Sequence, residues 1–168
     1  MKTQQFSSHP QPVITQTENN TTLWIGHLKS DPTDHFGGQV FTCPSDGLLN
    51  NIQVYSSAVN TPGEISMTLH EFDPVNKTWG QTIGSSTLSL EQNDSGRWMR
   101  FELEPITLKK EATYGFRMQT VDAMVGFGEA AHAKKPFPFG WAWKANSNDL
   151  KGRFYNFFSL AFKVELSA

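Results

Sequence analysis

An alternation of residue types near the C-terminus constrains the fold of this chain more than any other feature. In residues 158–166 the even positions hold Phe, Leu, Phe, Val and Leu, and the odd positions hold Ser, Ala, Lys and Glu. Because successive side chains of a β-strand point to opposite faces, this pattern predicts a strand with one buried face. The same period of two recurs at residues 52–56, 65–69, 99–103 and 114–118. The chain is therefore predicted to be an all-β protein of antiparallel strands.

Turn-forming residues divide the chain into many short segments. Turns are predicted at residues 31–38, 44–47, 60–63 and 93–96. Residues 122–152 are rich in Gly, Ala and Pro and are expected to be irregular, with room for a turn or two of helix at 123–133. Short strands at regular spacing predict one antiparallel β-sandwich of jelly-roll topology with about eight to ten strands. We assign it to residues 21–168, preceded by a loosely ordered arm at 1–20 that could add an edge strand at 12–15.

Composition and charge exclude several classes of function. The formal net charge is −2 and no run of Lys or Arg exceeds the pairs Lys109-Lys110 and Lys134-Lys135, so no nucleic-acid-binding surface is expected. No apolar run is long enough to cross a membrane, so no membrane partner is expected. The first residues carry a Lys without a following apolar stretch, which predicts no signal peptide and a cytoplasmic location by default. The single cysteine, Cys43, excludes an intrachain disulfide and is predicted to be a buried apolar residue.

Four segments carry a resemblance to known domains. They contain the sequences GQVFTCP at residues 38–44, ISMTLHEF at 65–72, RWMRFELEPITL at 97–108 and LAFKV at 160–164. The arrangement, which covers residues 38–166, resembles bacterial jelly-roll β-sandwich domains of the carbohydrate-binding-module-like and choice-of-anchor types. The resemblance implies a lectin-like or galactose-binding-like module of a kind usually exported and often attached to an enzyme. It carries over no binding residue.

The main candidate for ligand binding is the pair Trp141 and Trp143, which would share one face of an extended segment. With Phe137 and Phe139 before them they form the densest aromatic stretch, and Trp79 in a polar turn is a further candidate. Sugar rings present C–H groups to flat aromatic faces, while neighbouring polar groups fix the hydroxyls. Suitable polar neighbours are Lys144, Asn146, Asn148 and Asp149. The alternative is that one or both tryptophans fill the sandwich core.

Metal, cofactor and catalytic chemistry finds little support in the sequence. The five histidines lack metal-ligand spacing, which disfavours a cupin-type metal centre, and no cofactor is expected. Minor alternatives are structural calcium in the Asp/Asn loops and a weak divalent site at His27, Asp31, Asp34 and His35. No nucleophile motif is present, and Glu102 with Glu104 on one strand face is better explained as solvated charge.

These patterns favour a non-catalytic binding module with a carbohydrate ligand. The residues expected to hold the glycan are Trp79, Trp141, Trp143, Lys144, Asn146 and Asp149. The alternative is a structural or assembly protein, a homo-oligomer whose surface aromatics form the subunit interface. A small hydrolase or isomerase on the same fold is a third class, because sandwich sites are assembled from distant loops.

Overall fold

The computed structural model of the protein describes residues 10–132, 136–138 and 140–167. Fourteen strands account for most of them, and the helical content is a three-residue 3₁₀ turn at Gln92–Asp94. The strands are β1 (Gln11–Gln16), β2 (Thr21–Leu28), β3 (Asp31–Thr42), β4 (Gly47–Thr61), β5 (Gly63–Asp73), β6 (Thr78–Leu90), β7 (Arg97–Glu102), β8 (Thr107–Leu108), β9 (Thr113–Thr120), β10 (Met124–Ala131), β11 (Gly140–Asn146), β12 (Asp149–Tyr155), β13 (Phe158–Leu160) and β14 (Phe162–Ser167).

Residues 158–166, predicted as one strand, form two strands, β13 and β14, divided at Ala161. Ser159 and Ala161 are buried as well, so the predicted alternation of buried and exposed side chains is found in β14 alone. In β14, Phe162, Val164 and Leu166 are buried, whereas Lys163 and Glu165 are partly exposed. The strand lies between β1 and β4 and is antiparallel to both. The all-β prediction and its antiparallel pairing are confirmed.

The strands form a curled antiparallel sheet with two facing layers, consistent with a β-sandwich. The continuous order is β1-β14-β4-β10-β2-β3-β9-β5-β6, with β11 and β12 attached beside β3. Strand β3 joins the layers, since Asp31 and His35 pair with β2 and residues 37–42 pair with β9. Across the core, the Phe162 ring of β14 lies 6.1 Å from Phe41 of β3 and 5.9 Å from Phe116 of β9. The jelly-roll topology stays a prediction.

Two segments expected to lack regular structure are strands. Residues 31–38, predicted as a turn, begin β3, and residues 122–152 contain β10, β11 and the first four residues of β12. These three strands, with short pieces such as β8 and β13, raise the count above the eight to ten predicted. Strand β10 lies within residues 123–133, where the sequence allowed a turn or two of helix. It is buried on both faces, so it shows no polar alternation by which a strand could be recognised.

The N-terminal segment contributes an edge strand at the predicted place, since β1 includes residues 12–15 and pairs with β14 alone. Residues 1–9 lie outside the described part of the chain, as do Lys134, Lys135 and Phe139. Cys43 is a buried free thiol, as predicted. Across the described ranges no helix has the length and apolar character needed to span a membrane.

Candidate functional site

Strand β11 divides the predicted binding residues between two faces of one sheet. Trp141 and Trp143 stand opposite Val40 and Gly38 of β3, whereas Lys144 stands opposite Gly37. Because side chains alternate along a strand, the two tryptophans point to one face, and Lys144 and Asn146 point to the other. The predicted tryptophans and their predicted polar neighbours therefore belong to two separate surfaces.

On the first face, five rings form an aromatic cluster. Its members are Phe72, Trp79, Trp141, Trp143 and Phe154. Trp79 lies edge-on to Trp143 with ring centroids 5.3 Å apart, and Phe72 lies 5.2 Å from both Trp79 and Phe154. Edge-to-face contacts of this kind are favourable because the positive ring edge meets the negative ring face. The three predicted tryptophans are thus neighbours, although 62 residues separate Trp79 from Trp141 in the chain.

The cluster leaves little tryptophan surface open. Trp143 is 3% exposed, and its indole N–H donates to the Lys151 carbonyl oxygen at 3.1 Å. Trp79 is half-buried, and its indole nitrogen is buried without a hydrogen-bond acceptor among the described atoms. Trp141 is half-buried as well, with the Lys77 ammonium 5.3 Å from the centre of its ring. Trp141 also lines a cleft of about 320 Å³ with Phe157 and other residues of the 154–158 segment.

A cation is held against the cluster. The Arg117 guanidinium lies 4.8 Å from the Trp79 ring centre and 5.6 Å from that of Trp143. Its Nε–H donates to His70 Nε2 at 3.4 Å. Burial lowers the pKa of His70, and the Arg117 charge lowers it further, so the neutral imidazole with Nε2 as acceptor is favoured. No carboxylate in the described residues pairs with Arg117.

On the other face lies a polar cleft of about 580 Å³. Both aromatic rings and hydrogen-bonding groups line it. Its lining residues include Trp24, His35, Lys144, Asn146, Asp149, Arg153 and Tyr155. Trp24 is 38% exposed, the largest exposed fraction among the tryptophans in the described structure. Three of the six predicted binding residues, Lys144, Asn146 and Asp149, line this cleft.

The turn between β11 and β12 fixes the polar rim of this cleft. The Asp149 carboxylate accepts the Gly152 amide N–H at 3.2 Å, and the Asn146 side-chain oxygen accepts the Asn148 N–H at 2.8 Å. Two bonds tie the turn to β3: the Ser147 amide donates to the Asp34 carbonyl, and the Ser147 hydroxyl accepts the Asp34 N–H. The predicted polar residues are consequently positioned by backbone hydrogen bonds.

A buried ion pair stands behind the cleft. Lys144, which lines it, donates from Nζ to Glu129 Oε1 at 3.0 Å and lies 4.1 Å from the centre of the Phe158 ring. Glu129 is 1% exposed, and its second oxygen has no hydrogen-bond partner among the described groups. Burial raises the pKa of Glu129, and the Lys144 ammonium opposes that rise. The pair gives the cleft a fixed cation, and the exposed carboxylate of Asp149 lines the same cleft.

The predicted divalent site is present only as a pair. His27 Nδ1 and Asp34 Oδ1 are 2.5 Å apart. Within residues 10–132, 136–138 and 140–167, no three His, Cys, Asp or Glu side chains are grouped so that they could hold a metal ion. Structural calcium stays an untested prediction.

Sequence reasoning missed Trp24, Arg153 and Tyr155, and it assigned His35 to a weak divalent site instead of this cleft. Trp24 could have been found, because it stands between the buried Leu23 and Ile25 and must point away from the core. Arg153 and Tyr155 lie in β12, just after residues 122–152, which were expected to be irregular. Their position depends on the pairing of β12 with β11, which no local pattern in the sequence indicates.

Comparison with known proteins adds no relative. No family model matches the chain, and no characterised protein is significantly similar to it.

Proposed function

We propose that the protein is a non-catalytic binding module and that its ligand is a glycan held in the polar cleft. One observation carries the proposal: the cleft combines exposed aromatic surface from Trp24 and Tyr155 with the side chains of Asn146, Asp149 and Arg153. A sugar needs both kinds of surface, because its C–H face packs on a ring and its hydroxyls need donors and acceptors. Carboxylate, amide and guanidinium groups supply both acceptors and donors.

The size of the cleft supports a small glycan unit. Its volume of about 580 Å³ falls within the range of roughly 300 to 1,000 Å³ that is usual for small-molecule sites. The polar rim is held by backbone hydrogen bonds, so little ordering of Asp149 and Asn146 is needed when a ligand enters. Preorganisation of this kind lowers the entropic cost of binding a ligand.

The tryptophans then have different roles from those that the sequence predicts. Trp79 and Trp143 support the sheet behind β11, since Trp143 is buried and the two rings pack on each other. Trp141 is half-buried and lines a separate cleft, where it could act as a secondary platform. The main aromatic contact is assigned to Trp24.

The test is a glycan-array screen of the wild type beside Trp24→Ala and Asp149→Asn, with Trp141→Ala as the matched control. We expect the first two substitutions to abolish or weaken binding and Trp141→Ala to preserve it, with all variants folded by circular dichroism. Loss of binding in Trp141→Ala alone would move the site to the smaller cleft. Failure of the wild type to bind any glycan would overturn the proposal.

A further inference from the structure

Four strands of six or more residues in the described structure pair on one side only: β1, β6, β7 and β12. An unpaired strand edge is a template for another strand, so proteins usually protect it with charged residues or proline. Three of the four edges carry such protection. The protecting residues are Pro12 in β1, Arg97, Arg100 and Glu102 in β7, and Asp149, Lys151 and Arg153 in β12.

Strand β6 is the exception. It is the longest of the four, with 13 residues, and its sequence TWGQTIGSSTLSL contains no charged residue and no proline. Its ladder partner is β5, and in the described residues no other element donates to or accepts from its backbone. The outward backbone groups of a long, uncharged strand are therefore available.

The second half of β6 is also regular. Seven consecutive pairs, from Gly63 with Leu90 to Leu69 with Gly84, keep the register with β5, and the irregularities begin beyond them near His70. Side chains in residues 84–90 are small apart from Leu88 and Leu90. A bulge, which would twist the edge away from a partner, is thus absent from this half of the strand.

We propose that residues 84–90 of β6 pair with the same segment of a second copy of this chain, antiparallel about a two-fold axis at Thr87. In this register Thr87 faces its own counterpart, and Ser85 faces Ser89 of the partner subunit. Ser85, Thr87 and Ser89 are all exposed, so hydroxyl side chains meet on the solvent face. Pairs of Thr or Ser across antiparallel strands are favourable.

Self-pairing explains the composition of the edge better than pairing with a foreign strand. In an isologous contact a charge at the axis faces its own copy, and a charge next to the axis lies diagonally close to its copy, which destabilises the pair. A foreign strand could carry the opposite charge and would not require a neutral edge. Leu88, half-buried at the rim of the core, would gain cover from Ser86 of the partner subunit. The inference does not depend on the proposed glycan site.

The test measures the mass of the full chain in solution by light scattering across a wide concentration range. We expect the wild type to form a dimer and Thr87→Lys to remain a monomer, because two ammonium groups would meet at the axis. The same substitution on the protected β1 edge, Thr15→Lys, should leave the dimer intact. Thr15 is exposed in an edge strand too, so it controls for an added surface lysine.

A second variant tests the register directly. Thr87→Cys should form an intermolecular disulfide under mild oxidation, because the two Cα atoms at the axis of an antiparallel pair lie within disulfide reach. The native Cys43 is buried and should not compete. A wild type that is monomeric at every concentration would overturn the proposal. So would a dimer that persists in Thr87→Lys and is not cross-linked through position 87.

Discussion

At the scale of single residues, the stability of the fold depends strongly on the ion pair between Glu129 and Lys144. Removing one member of a buried pair typically costs about 3 to 5 kcal/mol, because the other charge is left unpaired in a poorly solvated place. Glu129 is 1% exposed, so Lys144→Met should reduce the free energy of unfolding by an amount of this order near neutral pH. Urea unfolding of the two proteins measures the difference.

The pH dependence of that loss has a definite sign. Burial raises the pKa of Glu129 above its value in the unfolded chain, so the folded state binds more protons between the two values and stability falls as pH rises through that window. Loss of the Lys144 cation raises the folded pKa further. The gap between Lys144→Met and wild type should therefore shrink as pH is lowered and Glu129 becomes neutral. A gap that is independent of pH would contradict this assignment, and the Glu129→Gln/Lys144→Met double variant should recover most of the loss.

The two tryptophans of β11 should respond differently to truncation. Trp143 is buried, packs against Trp79 and satisfies its N–H, so Trp143→Ala should cost about 3 to 5 kcal/mol. Trp141 is half-buried, so Trp141→Ala should lower the free energy of unfolding by clearly less. Denaturant midpoints of the two variants test this. Equal losses would show that Trp141 supports the fold as much as Trp143 does.

At the scale of elements, the β11–β12 hairpin connects the aromatic cluster to the polar cleft. Gly152 holds it closed with a φ of +69°, and a Cβ there would lie 2.6 Å from the Lys144 carbonyl oxygen and 2.7 Å from the Trp143 indole nitrogen. Gly96 has a similar φ of +79°, but its nearest neighbour would be the Tyr55 hydroxyl at 3.7 Å. The two positions thus share backbone strain and differ in crowding.

Alanine at these two glycines should separate strain from crowding. Gly96→Ala should cost about 1 kcal/mol, the usual penalty for a side chain in the left-handed region. Gly152→Ala should cost more than twice as much, because the hairpin must open where Trp143 and Lys144 meet. Thermal unfolding gives the stabilities, and a shifted tryptophan emission in Gly152→Ala alone would report the disturbed cluster. Equal effects would mean that the hairpin adjusts without strain.

The strands that could be predicted from the sequence are those with one buried face and one solvent-exposed face. Strand β14 alternates because one side meets the core and the other meets solvent. Strand β10 could not be recognised, since it is buried on both faces and its glycines lie against neighbouring side chains: a Cβ at Gly126 would meet Thr22 and Trp24. In the candidate site, the meeting of Trp79 with Trp143 depends on pairing between distant strands. The separation of Trp143 from Lys144, however, follows from alternation alone.

At the scale of the whole molecule, the two proposed surfaces lie at opposite ends of one layer. That layer runs β6-β5-β9-β3-β11-β12, with the free edge at β6 and the polar cleft beside β11 and β12. Pairing at β6 would join two such layers into one continuous sheet. At about 4.8 Å between neighbouring strands, the two clefts would lie roughly 50 Å apart.

A dimer of this shape should bind a surface that displays many glycans more tightly than it binds one soluble glycan. The second cleft would engage at the high effective concentration set by the first, which can raise apparent affinity by about 10²-fold or more without any new contact. Thr87→Lys should remove this gain on a densely coated sensor surface and leave the affinity for a soluble monovalent sugar unchanged. Trp24→Ala should weaken both, because it alters the cleft itself. If Thr87→Lys and wild type bind the coated surface equally, either the protein acts there as a monomer or its two clefts cannot reach that surface together. A dimer detected in the same solution by light scattering would favour the second explanation. The sheet is twisted, so two rigid clefts at its opposite ends can point in different directions and cannot then bind one flat surface together.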